Sequence, residues 1–130
     1  MSGVVAEAAL ALVGTPFRLH GRDPANGLDC IGVVAHALAA AGWEGSVPTG
    51  YALRGGDSAR VAAALDAALA RADGERVGDV LLVKPGPAQL HLVVRTSTGI
   101  VHADAGLRRV VERPGALPWP VLGAWRVGEA

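Results

Sequence analysis

Three side chains of this sequence have the types and positions that nucleophilic catalysis needs: Cys30, His91 and His102. Cys30 follows Asp29, a residue type that caps helices, so the thiol falls in the first turn of a predicted helix. Unpaired backbone N–H groups there favour thiolate over thiol, and we expect the pKa of Cys30 to lie below that of a free thiol. A thiolate, an imidazole base and a polar group that orients the imidazole together perform acyl transfer.

Each of these residues also has a structural interpretation. A lone cysteine can be a small buried hydrophobe, and strand histidines such as His91 and His102 can be satisfied by solvent or by a backbone carbonyl. His20 lies in a long predicted loop, where it could touch a substrate or brace the loop. His36 comes six residues after Cys30, which turns it about 120° around the helix, so we interpret it as structural.

The turn between the two histidine strands decides how close their side chains come. A four-residue loop would pair Arg95 with Ile100 and make His91 and His102 diagonal neighbours on one face, about 7–8 Å apart. A later turn would keep both on that face but further apart. In the first register Asp104 sits opposite His91, so either His102 or Asp104 could orient the imidazole.

The order of elements predicts an α+β fold. Apolar residues at helical spacing predict helices over 2–13 and 30–41, and Asp57 or Ser58 caps a third helix that reaches Leu69. Residues 14–28 are too rich in glycine and proline to follow the periodicity of a helix or of a strand, so we expect them to form a loop. Five short β-branched segments predict strands over 80–83, 90–96, 100–103, 108–112 and 121–127. We therefore expect N-terminal helices packed on a C-terminal antiparallel sheet of about five strands, in a single domain over residues 1–130.

Composition excludes several classes of protein. The 130 residues carry 12 basic and 12 acidic side chains with a net charge of zero, and aromatic residues make up 4% of the chain, so neither a cationic field nor a base-stacking platform for nucleic acid is expected. No membrane-spanning run and no secretory signal are visible, so we expect cytoplasmic synthesis and no membrane association. The single cysteine excludes an internal disulfide. No spacing typical of a zinc site or a phosphate-binding loop occurs, and no cofactor is expected.

Several segments together resemble the NlpC-type cell-wall peptidases. Residues 14–18 (GTPFR) and 27–34 (GLDCIGVV) are similar to the family's G-T-P-Y and D-C-S-G-L-V motifs around the nucleophile. Residues 78–83 (GDVLLV) resemble its G-D-L-V-F-F strand, residues 90–94 (LHLVV) the strand that opens with the catalytic histidine, and residues 100–103 (IVHA) its I-H-A segment. The resemblance runs over about residues 5–105 in the family's order and spacing.

The resemblance implies a papain-like fold and roles for single residues. Cys30 would be the nucleophile, His91 the general base and His102 the residue that orients it. Asp29 matches the family aspartate that caps the helix and meets the free amine of the substrate peptide. Phe17 occupies the position of the family's tyrosine, and with Asp29, His20 and Arg22 it is assigned to substrate binding. The implied reaction is hydrolysis of an amide in peptidoglycan stem peptides, typically between D-glutamate and diaminopimelate.

Three hypotheses about function follow. The loop over residues 18–24 with GLDC looks similar to the signal-less branch found with phage tails and gene-transfer particles, so the first is a tail-associated endopeptidase that opens the cell wall during entry. The second is a non-catalytic tail assembly protein, which an exposed apolar surface around Trp119, Val121 and Trp125 would favour. The third is an acyltransferase with the same triad, which requires a deep apolar pocket at Cys30.

Overall fold

The computed structural model describes residues 2–45 and 57–128. These residues include three helices: α1 (Ser2–Ala11), α2 (Cys30–Ala40) and α3 (Ser58–Ala68). The Asp29 carboxylate caps α2 by accepting the N–H of Gly32, and Asp57 caps α3 by accepting the N–H of Ala59. The predicted caps and starts of α2 and α3 are therefore confirmed. Most of the loop expected between these helices falls outside the described residues.

Two short strands, β1 (Arg22–Asp23) and β2 (Gly27–Leu28), form a small hairpin before α2. The remaining strands are β3 (Ala70–Arg71), β4 (Val80–Gly86), β5 (Gln89–Arg95), β6 (Gly99–Asp104), β7 (Arg109–Pro114) and β8 (Val121–Arg126). They form one antiparallel sheet in the order β3-β8-β4-β5-β6-β7. The five predicted strands are present, and the two-residue β3 adds a sixth at the edge of the sheet.

Both faces of the sheet are covered. On one face, alternate residues of β4, β5 and β6 belong to the main core, where α2 packs on β5 and β6 and α1 packs on β5. Leu38, Leu82 and Val94 are among its buried members. On the other face, a smaller cluster that includes Val93 and Ile100 is covered by the partly buried Leu117 and Trp119. Within the described residues, no helix is long and apolar enough to cross a membrane.

Candidate active site

Cys30 opens α2 directly after its capping residue. Its side chain is buried in the main core at the point where the helix begins against the sheet. Gly32, in the same turn, lies so close to the loop before the helix that a Cβ there would overlap the carbonyl oxygen of Gly21. Asp29 and Gly32 therefore fix where the first turn of α2, and with it the thiol, is held.

The loop that precedes α2 wraps around the Asp29 carboxylate. His20, which adopts the left-handed conformation at φ 60°, donates its backbone N–H to Oδ2 at 2.8 Å. Arg22 donates from Nη1 to Oδ1 at 2.7 Å, and Gly32 donates its N–H to the same oxygen at 2.9 Å. Asp29 is thus a buried carboxylate with three donors, one of them a guanidinium.

His91 on β5 and His102 on β6 are hydrogen-bonded to each other. The two strands pair Arg95 with Ile100, which is the register predicted for a four-residue loop. The His91 Nε2 and His102 Nδ1 atoms lie 2.9 Å apart, and the rings meet edge to face at 85°. The side chains therefore approach more closely than the diagonal strand spacing alone requires.

This hydrogen bond restricts the tautomers that can support catalysis. His91 Nε2 is occupied by His102, so Nδ1 is the nitrogen of His91 left for proton transfer. For Nδ1 to accept a proton, Nε2 must carry the hydrogen and donate it to His102 Nδ1. The hydrogen of His102 then resides on its Nε2, a buried atom with no hydrogen-bond partner among the described residues.

Asp104, the other candidate partner of His91, has a different contact. Its Oδ1 accepts the N–H groups of Gly106 at 2.8 Å and of Leu107 at 3.0 Å, so it holds the turn between β6 and β7. In this geometry His102, and not Asp104, is bonded to His91.

Trp119 contacts both histidines and is not among the site residues that the sequence indicates. Its ring lies edge to face with His91 at 5.9 Å and with His102 at 5.4 Å between centroids, and the Arg113 guanidinium lies over it at 5.6 Å. It follows the segment in which the family resemblance is found. A tryptophan between two prolines, Pro118 and Pro120, shortly after the histidine strands is the sequence signal that could have indicated it.

Burial favours the neutral forms of the Cys30 thiol and of the two imidazoles. Removal from water raises the pKa of the Cys30 thiol to about 12; the N–H groups of Leu92 and Ile31 and the Arg22 charge act in the opposite sense without reversing it. The pKa of His91 is lowered to about 4, mainly by burial and secondly by the nearby His102. Burial also lowers the pKa of His102. The expected low pKa of Cys30 is therefore wrong, because desolvation outweighs the helix N-terminus. Among the described residues no hydrogen bond joins the thiol to His91.

One cavity of about 630 Å³ brings the predicted residues together. Cys30, His91 and His102 line it with Asp29, Phe17 and His20, whereas Arg22 reaches Asp29 without being one of the lining residues. Apolar side chains, among them Leu19, Leu90 and Trp119, complete much of the wall. In the described part of the chain, no group of three His, Cys, Asp or Glu side chains could hold a metal ion.

Comparisons with known proteins agree with this architecture. No protein-family model and no curated protein matches the sequence. Among solved structures, the peptidoglycan hydrolase RipB of Mycobacterium tuberculosis matches with a TM-score of 0.64 and 23% identity over 99% of this chain and 65% of its own. An NLP/P60-family protein similar to lipoprotein, from Staphylococcus aureus, matches at 0.63 and 22% over 99% of this chain and 42% of its own.

A third match spans nearly the whole of both chains. The NlpC/p60 domain of the peptidoglycan hydrolase SagA has a TM-score of 0.63 and 18% identity, and the match covers 98% of this chain and 99% of that domain. The chain spans less than two thirds of the length of the first two relatives. It spans nearly the whole of the SagA domain. It has the α+β, papain-like fold of the NlpC/P60 peptidoglycan hydrolases.

Proposed function

We propose that the protein is a cysteine endopeptidase that hydrolyses an amide bond in peptidoglycan stem peptides, with the D-glutamyl-diaminopimelate bond as its substrate. The observation that carries the proposal is the 2.9 Å His91–His102 pair in the same cavity as a helix-start cysteine. The fold supports the substrate class, since RipB and SagA are peptidoglycan hydrolases.

In the first step the Cys30 sulfur attacks the amide carbonyl carbon while its proton passes to His91 Nδ1. The two groups start neutral, so transfer of the proton accompanies attack instead of preceding it. The positive charge that forms on His91 is stabilised by His102, which accepts the Nε2 hydrogen. Cys30 N–H, in the first turn of α2, has no acceptor within the helix and is a candidate donor to the oxyanion.

In the second step the tetrahedral intermediate collapses to a thioester. The C–N bond breaks, His91 returns its proton to the leaving amine, and the acyl group remains on Cys30. Water then attacks the thioester carbonyl with His91 as base, and the thiol and a carboxylic acid are released. No cofactor takes part in these steps.

Digestion of purified peptidoglycan tests the proposal directly. Wild-type protein is expected to release fragments whose masses identify cleavage between D-glutamate and diaminopimelate, and Cys30→Ala is expected to release none. Cleavage at another amide would support the peptidase activity but would show that the D-glutamyl-diaminopimelate bond is not the one hydrolysed. Transfer of an acyl group without net hydrolysis would favour the acyltransferase, for which the apolar part of the cavity wall is the supporting feature.

We also propose that the enzyme acts as part of a phage-tail or gene-transfer particle made in the cytoplasm. The resemblance of residues 18–24 and 27–30 to that branch of peptidases supports this. An exposed apolar surface around Trp119, Val121 and Trp125 would favour the non-catalytic assembly hypothesis. Val121 is exposed, but Trp125 is fully buried and donates its Nε1–H to Asp66 at 2.9 Å. Detection of the protein by mass spectrometry in purified particles, and its absence from particle-free lysate fractions, is the expected result. The reverse distribution would contradict the particle role.

A further inference from the structure

The Asp29 carboxylate lines the cavity beside the nucleophile, but its charge is already compensated. Arg22 lies 2.7 Å from Oδ1, and the side chains of Arg22 and Asp29 are 21% and 8% exposed, so the pair is largely shielded from water. Gly32 and His20 add two N–H donors. This part of the cavity therefore presents an ion pair with no net charge.

The chemistry fixes which part of the substrate meets that ion pair. His91 must reach the leaving amine, so the amine side of the scissile bond lies toward His91, His102 and Trp119. The acyl side then extends from Cys30 away from those residues, and we assign to it the other part of the cavity lining, which includes Asp29, His20 and Phe17. The group that reaches Asp29 thus belongs to the acyl half of the peptide.

We propose that Arg22 is a specificity-determining residue: by pairing with Asp29 it makes the acyl-side region of the cavity neutral, so that the enzyme takes stem peptides whose N-terminal nitrogen is acylated in preference to peptides with a free ammonium. This inference rests on the proposed function. An acylated nitrogen is the state of a stem peptide still attached to the glycan strand through an amide. The intact wall, and not its released peptides, is then the substrate class.

The physical reason is electrostatic. An ammonium that enters the cavity loses hydration, and the attraction of Asp29 is opposed by the repulsion of Arg22 close behind it. An amide N–H is neutral, loses little hydration and can still donate to the lone pairs of Oδ2 that His20 leaves open. Without the guanidinium, Asp29 would be an uncompensated carboxylate that favours a cation.

Two synthetic peptides test the proposal: L-Ala-γ-D-Glu-diaminopimelate with a free N-terminus, and the same peptide N-acetylated. For the wild type we expect kcat/KM to be higher for the acetylated peptide. Arg22→Gln, which removes the charge, is expected to shift the ratio by about tenfold toward the free-amine peptide. Arg22→Lys keeps the charge and is expected to retain the wild-type preference.

Arg18→Gln is the matched control, because Arg18 is an exposed cation of the same loop and no ion pair joins it to Asp29. It should leave the ratio unchanged. A wild-type preference for the free amine, or an equal loss on both peptides in Arg22→Gln, would overturn the inference and leave Arg22 a structural residue. Failure of the wild type to cleave either peptide would instead overturn the proposed function.

Discussion

At the scale of single residues, burial is the largest cause of the shifted pKa values of Cys30 and His91. Cys30 is the one cysteine of the chain, so thiol alkylation reports on it alone. Because burial raises its pKa to about 12, we expect iodoacetamide to label the folded protein slowly at neutral pH and the rate to keep rising above pH 9. The same protein in denaturant should titrate near the ordinary value of about 8.5. Coincident profiles in the two states would contradict the desolvation of the thiol.

His91 and His102 differ in what each must do. His91→Ala is expected to abolish turnover to the level of Cys30→Ala, because the two exchange the proton in both steps of the proposed mechanism. His102 accepts one hydrogen bond, a role that an amide oxygen can fill, so His102→Asn or His102→Gln should keep appreciable kcat and His102→Ala should lose most of it. Asp104→Asn is the control. If it disabled the enzyme while His102→Ala did not, the orienting residue would be Asp104.

Trp119 lies against both histidines, and we expect its removal to admit water to the pair and to change the pH profile. Burial is the largest cause of the low pKa of His91, so exposure in Trp119→Ala should raise that pKa from about 4 toward its ordinary value. The acid limb of kcat/KM is expected to move up by about one pH unit or more. Trp119→Phe should move it less, and Trp43→Ala, which alters a tryptophan packed against the main core, should not move it. An unshifted limb in Trp119→Ala would mean that other groups exclude the water.

At the scale of elements, the sequence predicts the parts that depend on local signals. The caps Asp29 and Asp57 and the alternating apolar strands have such signals, so the sequence predicts α2, α3 and the long strands within a few residues. It predicts a loop where the structure has the hairpin of β1 and β2, because two-residue strands are too short to show a periodic pattern of apolar residues. The thiol pKa depends on burial by distant segments, which no spacing along the chain encodes.

The position of Cys30 depends on the close contact between Gly32 in α2 and the loop at Gly21. Gly32→Ala places a Cβ against the Gly21 carbonyl oxygen, a backbone atom that cannot turn away, so the loop must separate from α2. We expect a loss of about 1–3 kcal/mol in the free energy of unfolding, measured by urea denaturation. Gly3→Ala in α1 meets nothing within 4 Å and should be neutral or slightly stabilising. Equal effects of the two changes would contradict the close contact.

At the scale of the whole molecule, the site exists where two halves of the chain meet. The N-terminal half contributes Cys30 on α2 and the loop around Asp29, and the C-terminal half contributes the histidines and Trp119. We expect Cys30 in the N-terminal half and His91 in the C-terminal half to be shielded from water only when the two halves are packed together. The protonation of the site is consequently coupled to folding.

This coupling predicts how stability varies with pH. The folded pKa of His91 lies below its unfolded value, so its contribution is complete above about pH 6.5 and is lost as the pH falls toward 4. The folded pKa of Cys30 lies above its unfolded value, so its contribution is complete below about pH 8.5 and is lost as the pH rises toward 12. Thermal melts across pH should therefore show a maximum in Tm between these limits. Cys30→Ala should flatten the alkaline slope. His91→Gln should reduce the acid slope, and His102, whose pKa burial also lowers, should supply the remainder. An alkaline slope unchanged in Cys30→Ala, or an acid slope unchanged in His91→Gln, would assign the pH dependence to different groups.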